Sequence, residues 1–113
     1  MITPMANVSF SEWKNLDLRV GRIISAENHP NADKLYVIKV NVGEKEPRTI
    51  VSGLREHYTP DELKGKNIIV IVNLEPAVLR GVKSEGMLLA ASHEEKCVLL
   101  EPDQDIEVGS KVT

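Results

Sequence analysis

The residues whose types and spacing could do chemistry are concentrated in residues 73–87. Arg80 and Lys83 could neutralise phosphate groups, while Asn73 and Ser84 can both donate and accept hydrogen bonds. Met87 adds a soft apolar surface on which a base or a ribose could lie. Two glycines in the segment would let its backbone approach a partner closely. The same residues could equally shape a loop, cap a turn or enter the core, so composition alone leaves a nucleic-acid site and a structural role in balance.

Catalytic chemistry is not indicated anywhere in the 113 residues. The sequence contains no nucleophile motif, no glycine-rich phosphate loop and no framework of metal ligands. Three separate predicted loops or turns hold the three histidines, which argues against a metal site: His29, His57 and His93. Ser84 follows a lysine but lacks an ordered base and an oxyanion arrangement. We therefore predict a binding protein rather than an enzyme, with no metal and no cofactor.

Composition and charge restrict what such a protein could bind. With a net charge of −3, any nucleic-acid site must be a local cationic patch, and 4% aromatic residues are too few to stack several bases. The longest apolar run, residues 68–72, is far shorter than the ~20 residues of a membrane-spanning helix, and no secretion signal is recognisable. The single cysteine, Cys97, is best explained as a packed core thiol and fits a reducing compartment. We expect a cytoplasmic protein without a membrane partner.

Two short helices are predicted from their start signals. Ser9 and Glu12 have the spacing with which each side chain satisfies the other residue's free backbone N–H at a helix start. Phe10 and Trp13 give this helix an apolar face, which we expect to pack on the core rather than on a second subunit. Residues 59–63 combine a threonine cap, a proline in the first turn and a glutamate three positions after the cap, and predict the second helix.

Strands are predicted from alternating and β-branched runs. On the first strand the apolar face comprises Leu18, Val20, Ile24 and Ala26, and Arg22 interrupts it beside Gly21, where we expect a bend or bulge. The second strand has an apolar face of Tyr36, Ile38, Val40 and Val42. Further strands are expected at residues 49–51, at the continuous run 68–72, which suits a strand covered on both faces, and, after a long loop, at 87–91 and 97–100.

This order of elements indicates the fold class. Three strands, a short helix and then further strands follow one another at spacings too short for parallel crossovers. The pattern matches an all-β, five-stranded OB-fold Greek-key barrel with short helices and a C-terminal extension. An SH3-like barrel or a small sandwich are the alternatives. We predict a single domain over residues 1–113, with its core at about residues 10–111.

Four runs of the sequence resemble the tRNA-binding domain family. They are residues 17–21 (DLRVG), 29–35 (HPNADKL), 51–54 (VSGL) and 73–91, and within the last of these 81–87 (GVKSEGM) is the most specific. The likeness spans about residues 10–111. This family includes C-terminal domains of methionyl-tRNA synthetases, stand-alone structure-specific tRNA-binding proteins, and tRNA-binding parts of synthetase cofactors and their cytokine derivatives.

The resemblance implies an OB barrel that recognises the folded shape of tRNA without catalysing a reaction. Such a module acts alone or as an auxiliary part of an aminoacyl-tRNA synthetase, most often the methionyl enzyme. Matching positions place five residues at the RNA surface: Lys34, Asn73, Arg80, Ser84 and Met87. Because a loop position tolerates added volume, we expect Ser84→Trp to block the RNA without harming the fold.

Partners other than tRNA follow from the same resemblance. Stand-alone relatives are commonly homodimers, and the helix around Phe10 and Trp13 together with residues 106–112 could supply a symmetric interface. An alternative function is that of a dimeric export-related chaperone, in which Met87, Val78 and Leu79 would hold an apolar peptide. A further alternative is a module that docks onto a synthetase and never touches RNA.

Overall fold

The computed structural model describes residues 5–113, which are nearly all β-strand, turn and loop. In chain order the elements are α1 (Phe10–Trp13), β1 (Leu18–Asn28), β2 (Tyr36–Asn41), β3 (Arg48–Ser52), α2 (Pro60–Leu63), β4 (Asn67–Ile71), β5 (Ala77–Leu79), β6 (Val82–Ser84), β7 (Met87–Leu88), β8 (Ala90–His93), β9 (Lys96–Leu99) and β10 (Lys111–Val112). Neighbouring strands are antiparallel in the order β3-β2-β1-β4-β7, and β10 adds to β1. The predicted five-stranded barrel is confirmed. Within residues 5–113 no helix is long and apolar enough to cross a membrane.

The long strand β1 joins the two halves of the barrel. Its beginning pairs with β4, where Leu18 lies opposite Ile71, and its end pairs with β2, where Asn28 lies opposite Tyr36. The two outer strands of the order, β3 and β7, then come together through the chain just before β7. There the backbone N–H of Glu85 donates to the carbonyl oxygen of Thr49 on β3 at 2.8 Å. The barrel is therefore nearly closed, and few backbone groups along this seam are left for another chain.

The core lies inside the barrel and is almost entirely aliphatic. The alternating face predicted for the second strand is confirmed, since every member of it is buried. Its partners come from β1, β3, α2 and the later strands, and the buried cluster comprises Ile23, Tyr36, Ile38, Val40, Val42, Ile50, Leu54, Leu63, Ile68, Val70, Leu88 and Leu99. At about 1.5–3 kcal/mol for each large aliphatic side chain, this cluster is the main favourable term for the fold.

Both predicted helix starts are confirmed, but the packing of the first helix is not. Ser9 and Glu12 cap α1 reciprocally, as Thr59 and Glu62 cap α2. Leu63 anchors α2 in the core, whereas α1 has no buried residue. The expectation that the first helix packs on the core was therefore wrong. A helix of four residues makes only about one turn, and the apolar face of α1 remains exposed.

The predicted faces of β1 and β4 need correction. Ile23 is buried and Ile24 exposed, because the alternation breaks at Val20 and Gly21, which are both buried. The irregularity expected beside Gly21 is thus where the burial pattern changes, whereas the register with β2 shifts slightly later, between Ile23 and Ser25, and Ala26 after it packs against the core as predicted. On β4 the burial alternates, with Ile68 and Val70 fully buried and the intervening residues half-buried. The prediction of a strand covered on both faces was wrong, because the outer face is only partly covered.

The long loop expected after β4 contains a β-hairpin, which we call the β5–β6 hairpin (residues 77–84). After it, Met87 pairs with Ile71 of β4, and β8 and β9 form a second hairpin outside the barrel order. The predicted final strand pair is thus present. Its first predicted strand, residues 87–91, is however two strands, β7 in the barrel and β8 in this outer hairpin.

Candidate nucleic-acid interface

The loop between β1 and β2 (residues 29–35, hereafter the β1–β2 loop) is organised by a buried histidine. The side chain of His29 is only 3% exposed. Its Nδ1 accepts a hydrogen bond from the backbone N–H of Asn31 at 2.9 Å, and its Nε2 lies 2.9 Å from the carbonyl oxygen of Leu79. Because a backbone N–H can only donate, the ring proton sits on Nε2 and is donated to Leu79. One imidazole therefore fixes the β1–β2 loop and ties it to the β5–β6 hairpin.

The tip of the β5–β6 hairpin is a two-residue turn whose φ angles are both positive, 54° at Arg80 and 92° at Gly81. This is the geometry of a type I′ turn, the one that matches the twist of a tight hairpin. Arg80 Nη2 donates to the carbonyl oxygen of Asn31 at 3.4 Å, and Asn31 Nδ2 donates back to the carbonyl oxygen of Arg80 at the same distance. The turn thus presents Arg80 directly on the β1–β2 loop.

A second arginine, from a different segment of the chain, contacts the same loop. Arg55, in the segment between β3 and α2, donates from Nη1 to the carbonyl oxygen of Ala32 at 3.3 Å. Lys34 lies in the loop itself, 82% exposed at its side chain, with its ammonium 3.6 Å from a carboxylate oxygen of Glu56. Three cations from three different segments therefore converge on residues 31–34. Sequence analysis placed Lys34 and Arg80 at the surface and missed Arg55, which no local motif singles out.

Asn73 belongs to a different cluster, at the start of β1. Its Oδ1 accepts from the backbone N–H of Asp17 at 2.8 Å, and its Nδ2 donates to the carbonyl oxygen of Asn15 at 2.6 Å. Both ends of the amide therefore hold the link between α1 and β1 against the end of β4. The side chain is exposed, but the structure does not bring it onto the β1–β2 loop with Lys34 and Arg80. Contact between Asn73 and RNA stays a prediction.

Ser84 lies inside the molecule rather than at its surface. Its side chain is 2% exposed, its Oγ accepts from the backbone N–H of Val51 at 3.0 Å, and its hydroxyl donates to the carbonyl oxygen of Gly86 at 3.0 Å. The hydroxyl thus replaces a strand-to-strand bond in the seam that closes the barrel. The expectations that Ser84 is exposed and that a tryptophan would fit there are corrected.

Met87 and the two glycines of the segment also have structural tasks. Met87 is half-buried on β7 and packs against the core cluster, so only part of its side chain could meet a ligand. A Cβ on Gly86, whose φ is 130°, would lie 2.7 Å from the carbonyl oxygen of Ile71. Gly81 supplies the positive φ of the hairpin turn. Backbone geometry, not approach to a partner, accounts for both glycines.

Two other arginines line an open cleft of about 590 Å³ at the start of β1, and both are neutralised within the protein. Arg19 is bonded to Asp17, and Arg48 to Glu44. The hydrogen bond from Arg19 lowers the pKa of Asp17, as the bond from Arg48 lowers the pKa of Glu44. Arg48 also donates to the carbonyl oxygen of Val72 at 2.6 Å. These arginines brace the barrel, which leaves the β1–β2 loop as the better candidate for binding an anion.

The fold and this surface define a class of protein. A small, nearly closed OB-type barrel in which Lys34, Arg55 and Arg80 meet at one loop has the form of a binding module for polyanions. The family model described as "Putative tRNA binding domain" matches residues 18–111. The chain belongs to the tRNA-binding domain family.

Curated relatives and solved structures agree with this assignment. The chain is 54% identical over 108 residues to a methionine–tRNA ligase of Pyrococcus horikoshii and 44% identical over 105 residues to that of Archaeoglobus fulgidus. These alignments cover 96% and 93% of this chain, but only 15% and 16% of the ligases. The chain therefore spans about one sixth of the length of these relatives.

Among solved structures, a MetRS-related protein from Pyrococcus horikoshii superimposes with a TM-score of 0.88 at 35% identity, over 96% of this chain and all of that one. The chaperone CsaA from Bacillus anthracis gives a TM-score of 0.86 at 29% identity, again over 96% of this chain and 100% of the other. This chain thus corresponds to the full length of these two solved chains and to a small part of a ligase.

Proposed function

We propose that this chain is a non-catalytic module that binds folded tRNA, with the β1–β2 loop and the tip of the β5–β6 hairpin as its main contact surface. The observation that carries the proposal is the convergence of Lys34, Arg55 and Arg80 on one loop in a member of the tRNA-binding domain family. Since phosphate contacts position a protein on RNA without reading its sequence, such a surface suits recognition of shape.

The composition of the surface limits how it recognises RNA. Phenylalanine, tryptophan and tyrosine make up only 4% of the residues, and none of them takes part in the contacts described at the β1–β2 loop, where the ring of His29 is buried. Stacking of successive bases, the mode of non-specific single-strand binders, is therefore not the main source of affinity. On this proposal the module binds tRNA through its phosphates.

A methionyl-tRNA synthetase is the proposed partner in the cell. The similarity to methionine–tRNA ligases, over about 15% of their length, supports a role in which the module holds tRNA while catalytic parts elsewhere act on it. Tethering tRNA raises its effective concentration at the catalytic site without any new catalytic group. On this proposal the module works in the cytoplasm, as part of the synthetase or bound to it.

A homodimer is the proposed state of the isolated module. Three exposed apolar side chains, Phe10, Trp13 and Leu16, line a groove with Val112 next to the strand pair of β1 and β10. Monomers rarely leave such aromatic groups uncovered, and a two-fold axis would let the same patch cover itself. A monomeric mass by light scattering at working concentration would contradict this part of the proposal.

The direct test measures binding to folded tRNA across a salt titration. An unstructured RNA of equal length serves as competitor and as the control for simple attraction of charge. We expect tRNA to bind tighter than the competitor and the affinity to fall steeply with salt, since each phosphate contact releases counterions. A chain that is folded yet does not bind tRNA at low salt would refute the function.

A second candidate, peptide binding, is favoured by the likeness to CsaA and by apolar side chains on the hairpin. Val78 on β5 and Leu74 just before it are exposed, although Leu79 and Met87 are half-buried. Val78 thus offers an exposed apolar side chain on the hairpin whose tip contacts the β1–β2 loop. A competition experiment between tRNA and an unfolded apolar polypeptide distinguishes the candidates. If the polypeptide binds to a surface of its own, saturating tRNA should not displace it.

A further inference from the structure

Two arginines of the candidate surface lack a carboxylate partner within residues 5–113. Arg55 and Arg80 each donate only to a backbone carbonyl oxygen, that of Ala32 and that of Asn31 respectively. These two acceptors are consecutive in the chain, so the two guanidinium groups are bound to adjacent peptide groups of one turn. Two like charges bound to adjacent peptide groups repel each other, and an anion that contacts both would relieve the repulsion.

The unused donors of these arginines suit a phosphate group. A guanidinium carries five N–H donors in a planar fork, and each of the two spends one on its carbonyl. The remaining donors match the oxygens of a phosphate in the bidentate manner for which arginine is preferred over lysine. The carbonyl bonds hold each side chain in place, which lowers the entropy lost on binding.

The neighbouring charges favour the arginines over the lysine as the binding pair. Lys34 is the third cation of the loop, but Glu56 stands 3.6 Å from its ammonium group. Asp33 lies in the same loop, and among the described residues it forms no ion pair with either arginine. Arg55 and Arg80 are therefore the strongest unneutralised positive charges on this loop.

We propose that Arg55 and Arg80 form a shared site for a single backbone phosphate of RNA, across the turn at residues 31 and 32. The inference rests on the proposed function and deepens it, because it assigns a phosphate contact to Arg55, which lies outside the motif run 73–87. The two arginines act as one clamp on one phosphate, not as two separate contacts.

The test is a double-mutant cycle read through the salt dependence of tRNA binding. Glutamine at either position keeps a donor for the carbonyl and removes the charge, so the variants are Arg55→Gln, Arg80→Gln and the double. Log affinity falls with log salt at about 0.7–0.9 unit for each phosphate neutralised. A shared phosphate predicts that the double variant loses about one unit of slope in total, and that the two losses of affinity are not additive.

Two further variants make the result specific. Arg55→Lys keeps the charge but loses the fork, and is expected to retain the slope while binding about 3- to 10-fold more weakly. The control is Arg22→Gln. Arg22 is exposed on β1, bonded to Asn67, and six residues (22 to 28) before the end of that strand, or about 20 Å along it. It should leave the slope unchanged.

The outcomes separate this inference from the proposed function. A slope reduced by about two units in the double variant would mean two separate phosphates and overturn the shared site. An unchanged slope and affinity in the double variant, with wild-type binding intact, would remove the arginines from the interface and leave the function standing. Failure of the wild-type chain to bind tRNA would overturn the function and this site together.

Discussion

Ser84 lies in the most specific run of the family resemblance, yet both hydrogen bonds of its hydroxyl are made inside the barrel. A hydroxyl that both donates and accepts hydrogen bonds suits an RNA contact and a barrel seam equally well, so the residue type alone does not distinguish the two roles. What decides between them is the backbone N–H of Val51, a residue 33 positions earlier in the chain. No local pattern contains that contact, so the sequence alone could not place this residue.

Replacing Ser84 by alanine should therefore affect stability before it affects binding. The buried N–H of Val51 would lose its acceptor, and a buried donor left without a partner costs about 1–3 kcal/mol. We expect Ser84→Ala to lower the free energy of unfolding by that amount in urea, and Ser84→Trp not to fold at all. Ser92→Ala, on the exposed strand β8, is the control and should change little. A folded, stable tryptophan variant would show that the seam is misjudged.

Glu56 gives a test of Lys34 that avoids removing the cation. Its carboxylate competes with any phosphate for the Lys34 ammonium, and both side chains are largely exposed. Exposed pairs of this kind contribute about 0.2–1 kcal/mol. Glu56→Gln should therefore raise the affinity for tRNA, by up to about fivefold at low salt, with the gain fading as salt screens it.

The control for this gain is Glu46→Gln, which changes the net charge equally. Glu46 is exposed in the loop before β3, whereas Glu56 follows that strand. An equal gain in both variants would mean that only the overall charge matters. No gain in Glu56→Gln would take Lys34 out of the interface.

At the scale of elements, the helices and strands that could be predicted are those whose signals lie within a few neighbouring residues. Capping boxes gave both helices, and the alternation from Tyr36 to Val42 gave the second strand and its buried face. Ile24 was assigned to the wrong face because the alternation of β1 breaks beside Gly21, and the position of such an irregularity depends on the partner strands.

The β5–β6 hairpin was taken for a loop because its turn lacks the usual signal. Type I′ turns favour Asn-Gly or Asp-Gly, and here arginine occupies the first positive-φ position. Its strands are only three residues long, below the length at which alternation can be recognised. What stabilises Arg80 in this conformation is the contact with the β1–β2 loop, which comes from 49 residues earlier in the chain.

His29 should control how firmly this hairpin is held. Two substitutions each keep one of its two hydrogen bonds and remove the other. Asparagine can still accept from the Asn31 N–H, and glutamine can still reach the carbonyl oxygen of Leu79. We expect the hairpin amides to exchange about fivefold faster in His29→Asn than in His29→Gln, for a tether worth about 1 kcal/mol. Hydrogen exchange in the free protein measures this without RNA.

The same pair of variants shows whether the tether matters for binding. If the hairpin must be held for Arg80 to meet its phosphate, His29→Asn should bind tRNA more weakly than His29→Gln at equal global stability. Ile50→Val, a core change expected to cost about 0.5–1.5 kcal/mol, controls for stability loss alone and should leave tRNA affinity intact well below its melting temperature. Equal exchange in both histidine variants would contradict the tether.

At the scale of the whole molecule, the net charge of −3 argued against nucleic acid, and the arrangement of the charges answers that objection. Arg19 and Arg48 form ion pairs with carboxylates near the start of β1, so they contribute nothing to a phosphate-binding surface. Arg55 and Arg80 keep their charge on one loop. Since salt screens exposed charges beyond about 8–10 Å, a phosphate at that loop responds to the local cations more than to the distant carboxylates.

The exposed face of α1 gives the last prediction, which concerns assembly. Leu16 and Leu100 are both 41% exposed, but only Leu16 lies in the groove with Phe10 and Trp13. If two copies meet through this groove, Leu16→Asp would bury a charge in the interface, which a dimer cannot tolerate without a partner charge. Light scattering should then give half the wild-type mass, whereas Leu100→Asp, the matched control, should stay dimeric. Loss of the dimer in both variants, or in neither, would place the interface elsewhere on the barrel.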